Sequence, residues 1–281
     1  MRVKITSDST CDLSPELIDR FHIGILPMVI TFGDTAHRDG VDITPEDIYR
    51  FVAESGTLPK TCAMNAAEYS DFFRRNTADG SALVHFCIGS GSSSTCQNAR
   101  IAAEDTENVF VVDSENLSAG QGLLVLRAAE MAEEGMGARE IAEACQLLAS
   151  KVEASFVLDD LTYLVKGGRC SGVTAFGANV LKLKPCIEVR HGIMTPAKKY
   201  RGRMCSVILE YVTDKLRARK DLDTRRIFIT HTRCGPEWVE AAKQRVTELA
   251  PDFTEVLETT AGATVTTHCG PSTLGVLFIR K

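Results

Sequence analysis

Apolar and polar positions along the chain fall into two textures. In roughly the first half, short β-branched runs alternate with longer stretches of helical spacing. Val3-Lys4-Ile5 predicts a first strand. Ser14-Pro15-Glu16-Leu17 predicts a helix start, with Ser14 as N-cap and Pro15 at the first helical position. The apolar run over residues 23–32 predicts a second strand. Thr44-Pro45-Glu46-Asp47 repeats the helix-start signal ahead of residues 48–53, and Asn65 caps a helix that runs through Phe73. A buried-type strand at 81–88 enters the Ser-rich loop Gly89-Ser90-Gly91-Ser92-Ser93-Ser94-Thr95, and a helix follows from Cys96 to about residue 104. A strand at 109–113 and helices at 118–134 and 137–151 complete this half. Such alternation predicts a parallel sheet with helices on both faces.

After Ser155 the texture changes. Residues 185–189 and 193–197 flank Arg190-His191-Gly192 and predict a hairpin. Helices are expected at 205–217 and 236–249, and strands at 227–230, 253–257 and 274–279. The fold class expected is α/β in two domains. Residues 1–158 form a three-layer α/β/α domain with a parallel sheet, and residues 159–281 an α+β domain with a mixed sheet. The boundary falls near residues 154–168.

Composition narrows the function classes. A chain of 281 residues exceeds the usual single core, which supports two domains. Hydrophobic residues at 44% and charged residues at 25% match an ordinary packed protein rather than a disordered one. A formal net charge of −5 argues against nucleic acid as partner. The basic run from Lys215 to Lys220 reads as the polar, C-terminal end of a helix. The first residues lack an apolar signal region, and no stretch is long and apolar enough to span a bilayer. A cytoplasmic protein without stable membrane insertion is expected. Ten cysteines contain no CxxC pair, so most of them read as small buried hydrophobes in a reducing compartment, with no metal site.

Five ordered segments carry a resemblance. Asp8-Ser9-Thr10-Cys11-Asp12-Leu13 resembles the DST-x-DL opening of DegV proteins. Ser92-Ser93-Ser94-Thr95-Cys96-Gln97 resembles their SGTYQ-type loop. Leu161-Thr162-Tyr163-Leu164-Val165-Lys166-Gly167-Gly168-Arg169 resembles their LxYLxKGGR signature. Lys184-Pro185 and Lys199-Tyr200-Arg201 are similar to their KP and KxR elements, and His268-Cys269-Gly270-Pro271 to their HxGPG motif. The resemblance implies two α/β domains with a long-chain fatty acid, such as palmitate or stearate, held between them. It implies a lipid-binding subunit without catalytic residues or cofactor. In FakB-like members, that subunit presents the acyl carboxylate to a separate ATP-dependent FakA-like kinase, which makes acyl phosphate for phospholipid synthesis.

By this resemblance Ser93, Thr61 and His268 grip the carboxylate, and Arg169 and Arg201 serve the phosphoryl group or the kinase. The chemistry is consistent with those residue types. A buried carboxylate without partners is very costly, and uncharged donors hold it without the tight bidentate grip of arginine. Ser93 also stands on a strand-to-helix turn, where backbone N–H groups favour an anion. Guanidinium groups fit phosphate geometry. The sequence departs from the family at Ser94 and Ser272, where glycine is usual, at Cys96, and at Cys62-Ala63-Met64 after Thr61. The alternative readings are a carrier for another amphiphilic carboxylate and a self-sufficient lipid-acting enzyme. The second lacks a G-x-S-x-G elbow near Ser93, a G-x-x-x-x-G-K-[ST] loop, and a G-x-G-x-x-G after the first strand.

Overall fold

A computed structural model describes residues 1–170, 172 and 183–281. The chain opens with β1 (Val3–Asp8), a short 3-10 turn (Ser9–Cys11), α1 (Pro15–Arg20) and β2 (Gly24–Leu26). It continues through β3 (Val29–Phe32), β4 (Thr35–Arg38), α2 (Pro45–Ser55), β5 (Lys60–Cys62), α3 (Ala66–Thr77) and β6 (Ala82–Cys87). Then come α4 (Thr95–Glu104), β7 (Val109–Asp113), α5 (Ala119–Glu133) and α6 (Ala138–Ala149).

β1, β2, β6 and β7 form a four-stranded parallel sheet in the order β2-β1-β6-β7. Every residue of β6 is buried, as expected of a central strand covered on both faces. The helix starts follow local chemistry. Ser14 Oγ accepts from Leu17 N–H, and Asn65 forms a reciprocal capping box with Glu68.

The second half holds β8 (Val152–Leu158), α7 (Thr162–Gly167), β9 (Leu183–Arg190), β10 (Ile193–Arg201), α8 (Met204–Leu216) and β11 (Leu222–Thr232). It ends with α9 (Pro236–Leu249), β12 (Glu255–Thr260), α10 (Ala263–Cys269) and β13 (Thr273–Arg280). Its sheet has six strands in the order β10-β9-β8-β13-β11-β12, mixed because β11 and β12 run parallel while the other pairs are antiparallel. β8 lies before residue 159, yet it pairs with β9 and β13 and so belongs to this sheet.

The run over residues 23–32 is not one strand. β2 pairs with β1, while β3 pairs with β4 and β5 in a separate antiparallel sheet of three strands. Pro27 lies between them and has no N–H for a ladder. The next N–H, on Met28, donates instead to Ser9 Oγ at 3.1 Å. This break lets the small sheet turn toward the second half. There Ile30, Ile43 and Ile48 bury Ala263 of α10 in a core of their own. No disulfide forms among the described residues, and most cysteine side chains are buried.

Candidate carboxylate-binding cavity

Three of the contacts between the two halves frame a cavity that lies between them. At the first, the turn between β9 and β10 presses on the Ser-rich loop. Ser92 Oγ donates to Gly192 O at 2.6 Å, and Gly192 N–H donates to Glu115 O at 2.7 Å. At the second, the N-terminus of α10 meets two carboxylates of the first half, Asp12 and Asp39. At the third, Thr61 Oγ1 and His268 Nε2 lie 3.0 Å apart.

The cavity has a volume of about 240 Å³. Thr61, Ser93, Arg169 and His268 all line it, together with Met28, Cys62, Ala63, Ile88, Ser92, Ser94, Leu117, Met194, Thr264, Val265 and Cys269. Residues far apart in sequence are thus brought to one cavity. Arg201 is exposed at the end of β10 and does not line the cavity. Ser94, Ala63 and Arg169 are exposed and mark the mouth, whereas Leu117, Val265 and Cys269 are buried at the inner end. Those three buried residues also line a second, smaller space of about 30 Å³, bounded by Ala154, Phe156, Val189, Ala261 and Leu277. The polar end of the site therefore opens outward and the apolar end leads inward.

Each polar side chain is held by local structure. Ser93 Oγ accepts Thr95 N–H at 3.2 Å and lies 2.7 Å from Thr95 Oγ1. It acts as a serine turn at the head of α4. Ser94 has φ −75 and ψ 0, an ordinary right-handed conformation, so the loop does not need the family glycine there. Asp8 fixes where the loop begins, because its Oδ2 accepts Ile88 N–H at 2.8 Å and its Oδ1 accepts Gln121 Nε2–H at 2.9 Å. Burial pushes the Asp8 carboxyl above its usual range.

His268 sits in the last turn of α10, with Thr61 on one side and Gly167 on the other. A methyl group on Gly167 would stand 2.5 Å from His268 Nδ1, so the glycine is what lets the ring lie there. Burial first, and the neighbouring Arg169 charge second, push the imidazole down to about 4. The neutral ring carries one proton. Nδ1 is buried without a hydrogen-bond partner, and a buried orphan N–H is rarer and more costly than an orphan lone pair. This assigns the proton to Nε2, which donates to Thr61 Oγ1. The Thr61 hydroxyl hydrogen is then left to donate onward. A consequence is measurable: on titration from pH 8 to pH 5 the His268 imidazole resonances are expected to stay constant, and to move only as pH approaches 4. A midpoint near 6.5 in histidine-detected NMR would refute the assignment.

The turn after α10 is equally specified. Gly270 has φ 68 and ψ −175, a region open to glycine alone, and a methyl group there would meet the Tyr163 ring at 2.6 Å. Gly270→Ala is expected to destabilise the protein by about 3 kcal/mol, read as a lower denaturant midpoint at unchanged slope. Loss below about 0.5 kcal/mol would mean the turn relaxes freely. Ser272 stands at φ 58, where a glycine would carry no steric penalty.

The apolar liners outside the resembling segments are not legible in the sequence. Met28, Ile88, Leu117, Met194 and Val265 look in sequence like any core residue, and no spacing separates the two kinds.

The fold and the cavity define a protein of two α/β halves closing on a ligand-sized space, polar at its mouth and apolar within. The chain belongs to the DegV family: the model described as "Uncharacterised protein, DegV family" matches residues 2–281. Relatives include a DegV domain-containing protein of Caldanaerobacter subterraneus subsp. tengcongensis, 29% identical over 284 residues, covering 100% of this chain and 99% of the relative. Among solved structures, a fatty-acid-binding DegV family protein from Thermus thermophilus matches with TM-score 0.88 at 28% identity, with 100% of each chain covered. A stearic-acid-binding protein from Eubacterium ventriosum matches with TM-score 0.80 at 26% identity, over 99% of this chain and 98% of that one.

Proposed function

We propose that this protein binds a long-chain fatty acid, with the carboxylate at Thr61, Ser93 and His268 and the tail running inward past Leu117, Val265 and Cys269. The observation that carries this reading is the convergence of those three polar side chains on one cavity whose inner end is apolar. The energetics suit the task. A sixteen-carbon tail offers on the order of 10 kcal/mol of gross burial at about 0.8 kcal/mol per methylene. Uncharged donors then satisfy the head group without cancelling its reactivity.

The same reading makes the protein the lipid-presenting partner of a FakA-like kinase rather than an enzyme in its own right. Arg169 at the mouth stands where a phosphoryl group would arrive, and Arg201 on exposed β10 belongs to the surface offered to the kinase. Two measurements test this. Denaturing mass spectrometry of the purified protein is expected to recover a fatty acid near unit occupancy. Incubation with ATP is expected to yield acyl phosphate only when a FakA-like kinase is added. Recovery of a non-lipid carboxylate would favour a different amphiphile, and acyl phosphate without kinase would make the protein an enzyme.

A further inference from the structure

The second half's contribution to the polar wall comes chiefly from α10, a helix of seven residues. Thr264 and His268 lie four residues apart on one face, as do Val265 and Cys269, and all four line the cavity. A helix this short is not stable by itself. Its N-cap, Gly262, has no side chain to offer the orphan N–H groups of the first turn. Those donors are taken by the other half of the molecule. Gly262 N–H donates to Asp12 Oδ1 at 2.9 Å. Ala263 N–H donates to Asp39 Oδ1 at 2.9 Å, and Thr264 N–H to Asp39 Oδ2 at 3.2 Å.

Asp39 is 4% exposed, and neither of its oxygens bonds a cation among the described residues. Its negative charge faces the positive end of the helix dipole. Ser9 Oγ donates to Asp39 Oδ2 at 3.0 Å and accepts Met28 N–H, and Met28 is itself a cavity liner. The residue before Ser9 is Asp8, whose carboxylate fixes Ile88 at the start of the Ser-rich loop. Adjacent residues thus anchor both walls: Asp8 the wall that carries Ser93, and Ser9 through Asp39 the wall that carries His268. Five helical steps lead from Ala263 to His268, about 7.5 Å along the axis. A shift or fraying of the first turn would carry through to the imidazole.

We infer that Asp39 is a positioning residue, which sets the His268–Thr61 contact from the opposite end of α10. The inference rests on the fatty-acid reading for its consequence but not for its first test. That test is made on the protein freed of ligand, by histidine-selective NMR, with the His268 signal assigned through His268→Ala. In Asp39→Ala the His268 resonance is expected to move further than those of His85, which is buried in β6, because Asp39 bonds α10 directly and reaches the first sheet only through Ser9. Asp39→Asn keeps one acceptor and is expected to give a smaller shift of the same resonance.

The second readout is stearate affinity. Asp39→Ala is expected to weaken it about tenfold in the native background, and by less than about twofold in His268→Ala, since coupled residues are not additive. An unmoved His268 resonance in a folded Asp39→Ala protein would overturn the inference. So would equal affinity losses in both backgrounds, which would mark Asp39 as merely structural. If Asp39→Ala does not fold, Ser9→Ala and Asp39→Asn carry the same comparison. A native protein that binds no fatty acid would remove the proposed function and leave the NMR test of Asp39 standing.

Discussion

His268→Ala is expected to keep its fold and lose most of its hold on a long-chain fatty acid, with stearate affinity about 10- to 100-fold weaker. The neutral imidazole donates through Nε2 to Thr61 Oγ1 and so leaves the Thr61 hydroxyl hydrogen for the ligand. Without the ring, Thr61 loses its orientation and the carboxylate loses a donor chain from the second half. A hydrogen bond to a charged group contributes about 1.5–3 kcal/mol, which sets that range. Ser93→Ala is expected to act in the same direction by about tenfold. It removes the hydroxyl from the opposite wall and leaves the Thr95 hydroxyl, 2.7 Å away, as a partial substitute. Isothermal titration with stearate measures both, and far-UV circular dichroism checks the fold. Native affinity in both variants would remove the carboxylate site from this cavity.

Val265→Phe is expected to separate long acids from short ones. Val265 is buried and, with Leu117 and Cys269, lines both the outer cavity and the inner apolar space. A larger ring at that throat would close the inner space at an overpacking cost of about 1–3 kcal/mol. Each excluded methylene forfeits about 0.8 kcal/mol, so four of them cost about 3 kcal/mol, or about 200-fold in affinity for stearate. Octanoate, with ten fewer methylenes to place inward, is expected to lose less than about threefold. The comparison of two ligands on one variant cancels the stability cost. Equal losses for both acids would place the tail along another path.

The regular parts of the fold were legible because local chemistry agrees with tertiary need. Ser14, Thr44 and Asn65 each precede a helix in the structure, and the 185–189 and 193–197 segments pair across His191-Gly192. The failures have physical causes. Residues 23–32 carry a mostly apolar run, but Pro27 removes a donor and the chain changes sheet there. α10 reads as Ala-Thr-Val-Thr-Thr-His-Cys, rich in β-branched residues with weak helix preference. It is a helix because Asp12 and Asp39, far away in sequence, complete its first turn, and no window on α10 alone contains that information.

The site divides in the same way. Thr61, Ser93, Arg169 and His268 were picked out by resemblance to the DegV motifs, and the structure brings all four to one cavity. It leaves Arg201 outside. The glycines of the Lys166-Gly167-Gly168-Arg169 segment acquire a reason only in three dimensions, where Gly167 makes room for the His268 ring. Asp39 belongs to none of the five resembling segments. Its part in the site follows from hydrogen bonds to backbone groups, which leave no trace in local composition.

The most direct test is a crystal structure of the protein grown with stearate. Density for the carboxylate is expected within about 3.2 Å of Thr61 Oγ1 and Ser93 Oγ, a usual hydrogen-bond limit, with the chain passing between Leu117 and Val265. A stearate whose head lies elsewhere, or whose tail stays outside that passage, would contradict it.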